Sequence, residues 1–169
     1  LTGPQIPLGS LLEHLCEQPG PSSRQQEVAW EHLLTLLVQH LPQTHIWQPA
    51  YLDPVLRLYQ LLGADSKIRY QLLHLCTQVG DSSCLAAVAD QLSTDPPSSS
   101  TTVGVIFAPL FQDRDLPYDH LFPRLLDTLE HPSVAAATLD LTNYLVRKEH
   151  FFQHPASDWL DSLQALMRD

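Results

Sequence analysis

This sequence has few charged residues, few glycines and little of what β-sheet proteins are rich in. Charged residues make up 17% of the chain, and there are 6 glycines and 1 methionine. Asparagine occurs once, at Asn143, so the Asn-Gly turns that typically close β-hairpins are absent. Leucine instead outnumbers valine and isoleucine together. Because leucine suits helices and β-branched residues suit strands, the composition predicts an all-α protein.

Basic residues are scarce as well. Lys plus Arg number 9 against 19 Asp plus Glu, which gives a formal net charge of -10 with histidine neutral. A chain of this sign repels phosphate backbones, so we expect no nucleic-acid binding. The acidic balance favours a protein partner that carries a basic or amphipathic segment.

The cysteines and the apolar runs indicate a compartment. Cys16, Cys76 and Cys84 are widely spaced within leucine-rich stretches, so reduced thiols are expected in an intracellular protein, cytoplasmic or nuclear. No apolar run approaches the ~18 residues that a membrane span needs, and direct membrane insertion is not expected. Because the chain begins at Leu1 and not at Met, we expect a fragment of a larger protein.

Prolines and glycines divide the chain into helix-sized blocks. Most of the 14 prolines fall between apolar blocks, where a proline opens a helix and does not break it. Within the blocks, apolar residues recur at helical spacing. The predicted N-caps are Ser22 or Ser23, Asp53, and Asp81 or Ser82. The predicted helices cover residues 10–18, 24–41, 53–62, 66–79, 82–92, 103–111, 117–130, 132–145 and 156–168.

The length of 169 residues suits one ordinary domain, and we expect a single α-helical domain over residues 1–169. One segment interrupts the helical pattern. Residues 93–102 consist almost entirely of serine, threonine and proline, which predicts a flexible loop.

A two-helix pattern occurs twice along the chain, once over residues 55–75 and once over residues 121–145. In each copy the connecting turn is so short that the two helices must pack antiparallel. The segment Asp65-Ser66-Lys67-Ile68-Arg69 resembles the start of the second helix in HEAT/armadillo-type repeats, in which an Asp is followed by a β-branched residue and an Arg. The segment 130–134 keeps the turn proline and Val134, but Ala135 stands where the Arg is usual.

The resemblance implies a short solenoid in which antiparallel helix pairs are stacked; a compact helical bundle without true repeats is the alternative. Solenoids bind peptides or helices along the surface that their second helices form. The implied function is a non-catalytic protein–protein interaction scaffold or a subunit of a larger intracellular complex. The predicted partner-binding residues on the second-helix rows are Lys67, Arg69, Gln71, Arg147 and Lys148.

Aromatic residues at helix ends are further candidates for partner binding. Aromatic side chains anchor many protein interfaces, although each of these fits equally well as a filler between repeats. The residues concerned are Trp47, Tyr51, Phe151 and Phe152.

Motifs typical of enzymes are few. Gly80-Asp81-Ser82 resembles the Gly-Asp-Ser of one esterase family, but capping of a helix explains the same residues. His14 and Cys16, like His74 and Cys76, are two positions apart, so on a helix neither pair can bind one metal ion. We therefore expect no enzyme, no cofactor and no metal site. The alternatives are a helical membrane-trafficking adaptor recruited through proteins and a hydrolase with an unrecognised site.

Overall fold

The computed structural model describes residues 8–44, 47–64, 66, 68–112 and 116–147. These residues form eight α-helices joined by turns and loops, and they contain no β-strand. The all-α prediction is confirmed. The helices are α1 (Leu8–Glu17), α2 (Arg24–Thr44), α3 (Leu52–Leu61), α4 (Arg69–Val79), α5 (Ser82–Thr94), α6 (Ser100–Phe107), α7 (Phe122–Leu126) and α8 (Pro132–Val146).

The chain divides into two compact units, Leu1–Val79 and Gly80–Asp169. In the first unit α1 packs against α3, α2 packs against α4, and α3 also packs against α4. In the second unit α5 packs against α7 and α6 packs against α8. The helices can be grouped as consecutive pairs: α1 with α2, α3 with α4, α5 with α6, and α7 with α8. In each unit the first helix of one pair then packs against the first helix of the other pair, and the second helix packs against the second.

Aliphatic side chains fill the interior of both units. Burying each of them contributes roughly 1.5–3 kcal/mol relative to leaving it exposed. In the first unit the fully buried residues include Leu12, Leu34, Val55, Leu58, Leu72, Leu73, Leu75 and Cys76. In the second unit they include Leu85, Val88, Leu92, Val103, Ile106, Phe107, Phe122, Leu125, Val134 and Leu141.

Two helices begin at the capping residues that the sequence predicts. The Asp81 carboxylate accepts a hydrogen bond from the Cys84 backbone N–H at 2.7 Å and so caps α5. Gly80 precedes it with a φ of 71°, a left-handed conformation that favours glycine. At α2, the Gln26 backbone N–H donates to Ser23 Oγ at 3.3 Å, and Ser22 donates from its backbone N–H to Gln26 Oε1 at 2.9 Å.

Other helix boundaries differ from the prediction. Asp53 does not cap α3, which begins at Leu52 with Tyr51 at the N-cap; Asp53 lies in the first turn and pairs with Arg57 at 2.9 Å. The helix that was predicted from residue 66 begins at Arg69, and α2 continues to Thr44.

The helix predicted over residues 117–130 is much shorter in the structure. A 3-10 turn over Tyr118–His120 precedes α7, which ends at Leu126. After α7 the backbone N–H groups of Thr128 and Leu129 donate to the Leu125 and Leu126 carbonyl oxygens, three residues back, so the chain continues in tighter turns than an α-helix. The short helix predicted over 103–111 is α6 followed by a 3-10 turn, and the one predicted over 156–168 lies outside the described residues.

The Ser/Pro-rich segment 93–102 contains less irregular chain than predicted, because α5 runs to Thr94 and α6 starts at Ser100. Between them Pro97 is buried, and Ser133 Oγ donates to the Pro97 carbonyl oxygen at 2.5 Å. This bond ties the middle of the segment to the first turn of α8. The flexibility expected of the segment stays a prediction.

We expect Ser133→Ala to loosen residues 95–99. Loss of one hydrogen bond costs about 1 kcal/mol, which raises the population of a locally opened loop roughly fivefold. Limited proteolysis with subtilisin, with the cleavage sites mapped by mass spectrometry, measures the change as faster cutting in this loop. Ser83→Ala, an exposed position on α5, is the matched control. Equal cleavage rates in both variants and the parent chain would show that the bond does not restrain the loop.

The cap of α5 provides a second prediction. Asp81→Ala leaves the Cys84 N–H without its side-chain acceptor and should lower the free energy of unfolding by about 1 kcal/mol. Asp81→Asn keeps an acceptor oxygen and should retain most of that stability. Urea denaturation followed by far-UV circular dichroism measures both, with Ser83→Ala as the control. A catalytic role for Asp81 would instead show as a stable protein that has lost a measurable turnover.

Candidate functional site

The two predicted aromatic residues of the first unit lie in the connector before α3. The rings of Trp47 and Tyr51 meet edge to face with centroids 5.7 Å apart. A Cβ placed on Gly9 of α1 would stand 3.3 Å from the Tyr51 ring, so this ring packs closely over α1. Both aromatic side chains are half-buried. The Tyr51 ring holds the connector against α1, and the Trp47 ring packs on Tyr51. Partner binding by their exposed parts stays a prediction.

Arg69 lies beneath the surface of the first unit. Its side chain is 5% exposed, and its guanidinium carbon is 4.9 Å from the ring centroids of both Tyr59 and Tyr70. Nη2 also donates to the Tyr70 hydroxyl at 3.0 Å. Two aromatic faces stabilise a cation that has lost most of its water. Arg69 therefore joins α3 to α4 and lies below any groove surface.

Gln71 also connects helices of the first unit. Its Oε1 accepts a hydrogen bond from Thr35 Oγ1 at 3.2 Å, which links α4 to α2. Gln71 is half-buried, so a contact with a partner stays a prediction. Lys67, the remaining predicted residue of this unit, lies outside the described residues.

Stability measurements distinguish a structural role of Arg69 from a contact role. Arg69→Ala should lower the free energy of unfolding by about 2–3 kcal/mol, because it removes a desolvated cation from two rings and one hydrogen bond. Arg69→Lys should also destabilise, since an ammonium group lacks the planar fork that stacks on the rings. Gln71→Ala should cost about 1 kcal/mol. Urea denaturation tests all three, and an unchanged midpoint for Arg69→Ala would contradict the structural role.

In the second unit, Arg147 borders a depression along α8. The depression is open to solvent, has a volume of about 510 Å³, and its described lining comprises Asp140, Asn143, Tyr144 and Arg147. Spacing by three, four and seven positions places these residues on one side of the helix. The Tyr144 ring is held by Phe111, with centroids 5.0 Å apart. Lys148, Phe151 and Phe152 lie outside the described residues.

Sequence reasoning selected Arg147 but missed the other residues of the lining. The available signal was the row of polar side chains at positions 140, 143 and 147 on a helix whose other positions are mostly apolar. The chain's single asparagine, Asn143, stands in the middle of that row. Of the described residues that were predicted to bind a partner, Arg147 is the one that lines the depression.

Two large apolar side chains are exposed on α6 and α8. Val105 of α6 is 50% exposed and Leu139 of α8 is 38% exposed, although α6 and α8 pack against each other. Around Gly104 there is open space, since a Cβ placed there would have no neighbour within 4 Å. We call the following exposed residues the α6/α8 surface: Gly104, Val105, Ala108, Ala136, Leu139, Asp140, Asn143 and Arg147.

Within the described part of the chain, no ion pair involves the charged residues of the α6/α8 surface. Two ion pairs there are Asp53–Arg57 and Asp90–Arg124, at 2.9 and 2.8 Å. Neither includes Asp140 or Arg147, which are both exposed on α8. These two side chains are therefore available to ligands of opposite charge.

The cysteines do not form a reactive centre in the described structure. Cys76 and Cys84 are fully buried thiols that form no disulfide. Cys16 is half-buried and donates from Sγ to the Pro54 carbonyl oxygen at 3.2 Å. Burial raises the pKa of the Cys16 thiol, and the opposing effect of Arg57 is smaller. A thiol with a raised pKa is mostly protonated at neutral pH and is a weak nucleophile.

Among the residues that the structure describes, no group of three or more His, Cys, Asp or Glu side chains is placed to hold a metal ion. None of the described helices is both long and apolar enough to cross a bilayer.

Comparison with known proteins identifies no relative of this chain. No family model matches it, and neither a curated protein nor a solved structure matches it significantly. Its own residues are therefore the basis for any functional assignment.

Proposed function

We propose that this chain is a non-catalytic protein-interaction module, a scaffold or a subunit of a larger intracellular complex, that binds a segment of a partner protein on the α6/α8 surface. The observation that carries this proposal is the exposure of Val105 and Leu139, at 50% and 38%, on two helices that also carry the α8 depression. Covering each side chain would contribute roughly 1.5–3 kcal/mol, less the cost of ordering the partner.

The order in which the helices pack supports a repeat architecture. In both units the first helices of successive pairs lie together and the second helices lie together. Stacking of one helix pair on the next produces this arrangement, as in solenoids of the HEAT/armadillo type. On this interpretation α6 and α8 are second helices, and solenoids commonly present their binding surface on those helices. A compact bundle is the competing architecture.

The charge of the second unit supports a partner with a basic or amphipathic segment. Residues 80–169 contain 13 of the 19 acidic residues of the chain. Complementary charge would guide such a partner to this unit and disfavour acidic competitors. The thiols of Cys16, Cys76 and Cys84, which form no disulfide, support a reducing compartment, the cytoplasm or the nucleus, for this interaction.

Affinity capture from cell lysate with the whole chain as bait tests the proposal. Captured proteins are compared between the parent chain and the double variant Val105→Asp with Leu139→Asp. Val28→Asp is the matched control, since Val28 is 45% exposed on α2 of the other unit. We expect a stoichiometric partner that the control retains and the double variant loses, because two carboxylates in an apolar contact cannot be desolvated without large cost.

The capture is run at ~150 mM and ~500 mM salt to separate apolar from ionic binding. A partner that survives both conditions is held by apolar contacts, whereas one released at high salt is held by the acidic surface. A partner lost from Val28→Asp and kept by the double variant would place the interface on α2 and contradict the proposal. Circular dichroism of each variant confirms that the fold is intact.

A further inference from the structure

We propose that the α8 depression accepts an extended peptide segment of the partner, with a basic side chain at Asp140 and a carboxylate at Arg147. This inference rests on the proposed function and specifies the partner's chemistry and direction. The depression has a described lining of Asp140, Asn143, Tyr144 and Arg147, which are the polar part of the α6/α8 surface together with one aromatic ring.

The spacing of the two charges fits an extended chain. A helix rises 1.5 Å per residue, so Asp140 and Arg147 are about 10 Å apart along the axis of α8. A peptide in the extended polyproline II conformation advances about 3.1 Å per residue with three residues per turn, so side chains three positions apart lie on the same side, about 9 Å from each other. A peptide with the pattern basic-x-x-acidic would meet both charges at once.

The residue between the charges favours an extended ligand over a helical one. Asn143 is exposed, and its amide can donate and accept at the same time. An extended chain presents unpaired backbone N–H and C=O groups to such an amide, whereas a helix satisfies these groups internally. Tyr144, held at 5.0 Å by Phe111, provides a fixed apolar floor beside it.

The order of the charges sets the direction of the ligand. Asp140 lies in the middle of α8, and Arg147 lies at its C-cap, where its backbone N–H bonds to the Asn143 and Leu145 carbonyl oxygens. Neither side chain has an ionic partner among the described residues, so neither must leave one to bind. A peptide in the reverse orientation would place like charges together, which is strongly disfavoured.

A random dodecapeptide display library, selected on the whole chain, provides the test. We expect enrichment of sequences with a Lys or Arg three positions from an Asp or Glu. For the best synthetic peptide, measured by fluorescence polarisation, Asp140→Asn and Arg147→Gln should each weaken binding roughly two- to fivefold. Asp127→Asn, also exposed in the second unit, is the matched control and should leave the affinity unchanged.

A charge exchange makes the test specific. The double variant Asp140→Arg with Arg147→Asp should lose the selected peptide and bind a synthetic version in which the basic and acidic residues are exchanged. Peptides whose binding depends on Val105 and Leu139 but ignores both charges would overturn this inference and leave the proposed function standing. A library that yields no binding peptide would also overturn it.

Two other occupants are distinguished in the same experiments. A synthetic peptide of residues 148–169 that binds with the same dependence on Asp140 and Arg147 would assign the depression to the chain's own C-terminal segment. Self-association in analytical ultracentrifugation that disappears in Asp140→Asn with Arg147→Gln would assign it to a second copy. Either result overturns the peptide proposal.

Discussion

The helices of this protein depend on their neighbours, because most of them are too short to be stable alone. The helix α2 has 21 residues, but α3 has 10 and α6 has 8, lengths at which an isolated helix is marginal in water. Stability must therefore come from burying aliphatic rows against another helix. That requirement explains the fully buried leucines in both units and the pairing of α5 with α7 and of α6 with α8.

The need for each helix to pack against another also determines which polar side chains can be buried. Arg69 is the one charged side chain that is buried among the described residues, and its two tyrosine partners come from α3 and from α4 itself. Without the packing of α3 on α4, the guanidinium would return to water. This residue therefore contributes to the specificity of the helix pair, since a different register of the two helices would separate the cation from the Tyr59 ring.

Local features of the fold were predictable from sequence, whereas features that depend on tertiary contacts were not. Leucine spacing located most helices, and α5 is capped by Asp81, one of the two residues predicted for that cap. The end of α7 was missed because the leucine spacing continues to Leu129, although the chain after Leu126 forms turns closed by bonds three residues apart. Asp53 was taken as a cap because of the proline after it, but α3 starts one residue earlier.

The candidate site was predicted less well, for a related reason. Arg69 and Arg147 have the same side chain and both were predicted on second-helix rows, yet one is buried and the other is exposed. The difference is that Tyr59 meets Arg69 across a helix pair, and a single sequence does not show such a contact. Likewise, the exposure of Val105 depends on how α6 packs on α8, and not on the apolar run in which this valine lies.

On the α6/α8 surface, affinity and selectivity for a ligand come from different side chains. Val105 and Leu139 provide apolar area that any apolar segment can cover, so they favour affinity without selecting a sequence. Asp140 and Arg147 are exposed charges, which add little affinity in water but penalise a ligand with the wrong order of charges. Because the apolar and charged side chains are different residues, a substitution in one set leaves the other in place. Affinity and selectivity can therefore change independently on this surface.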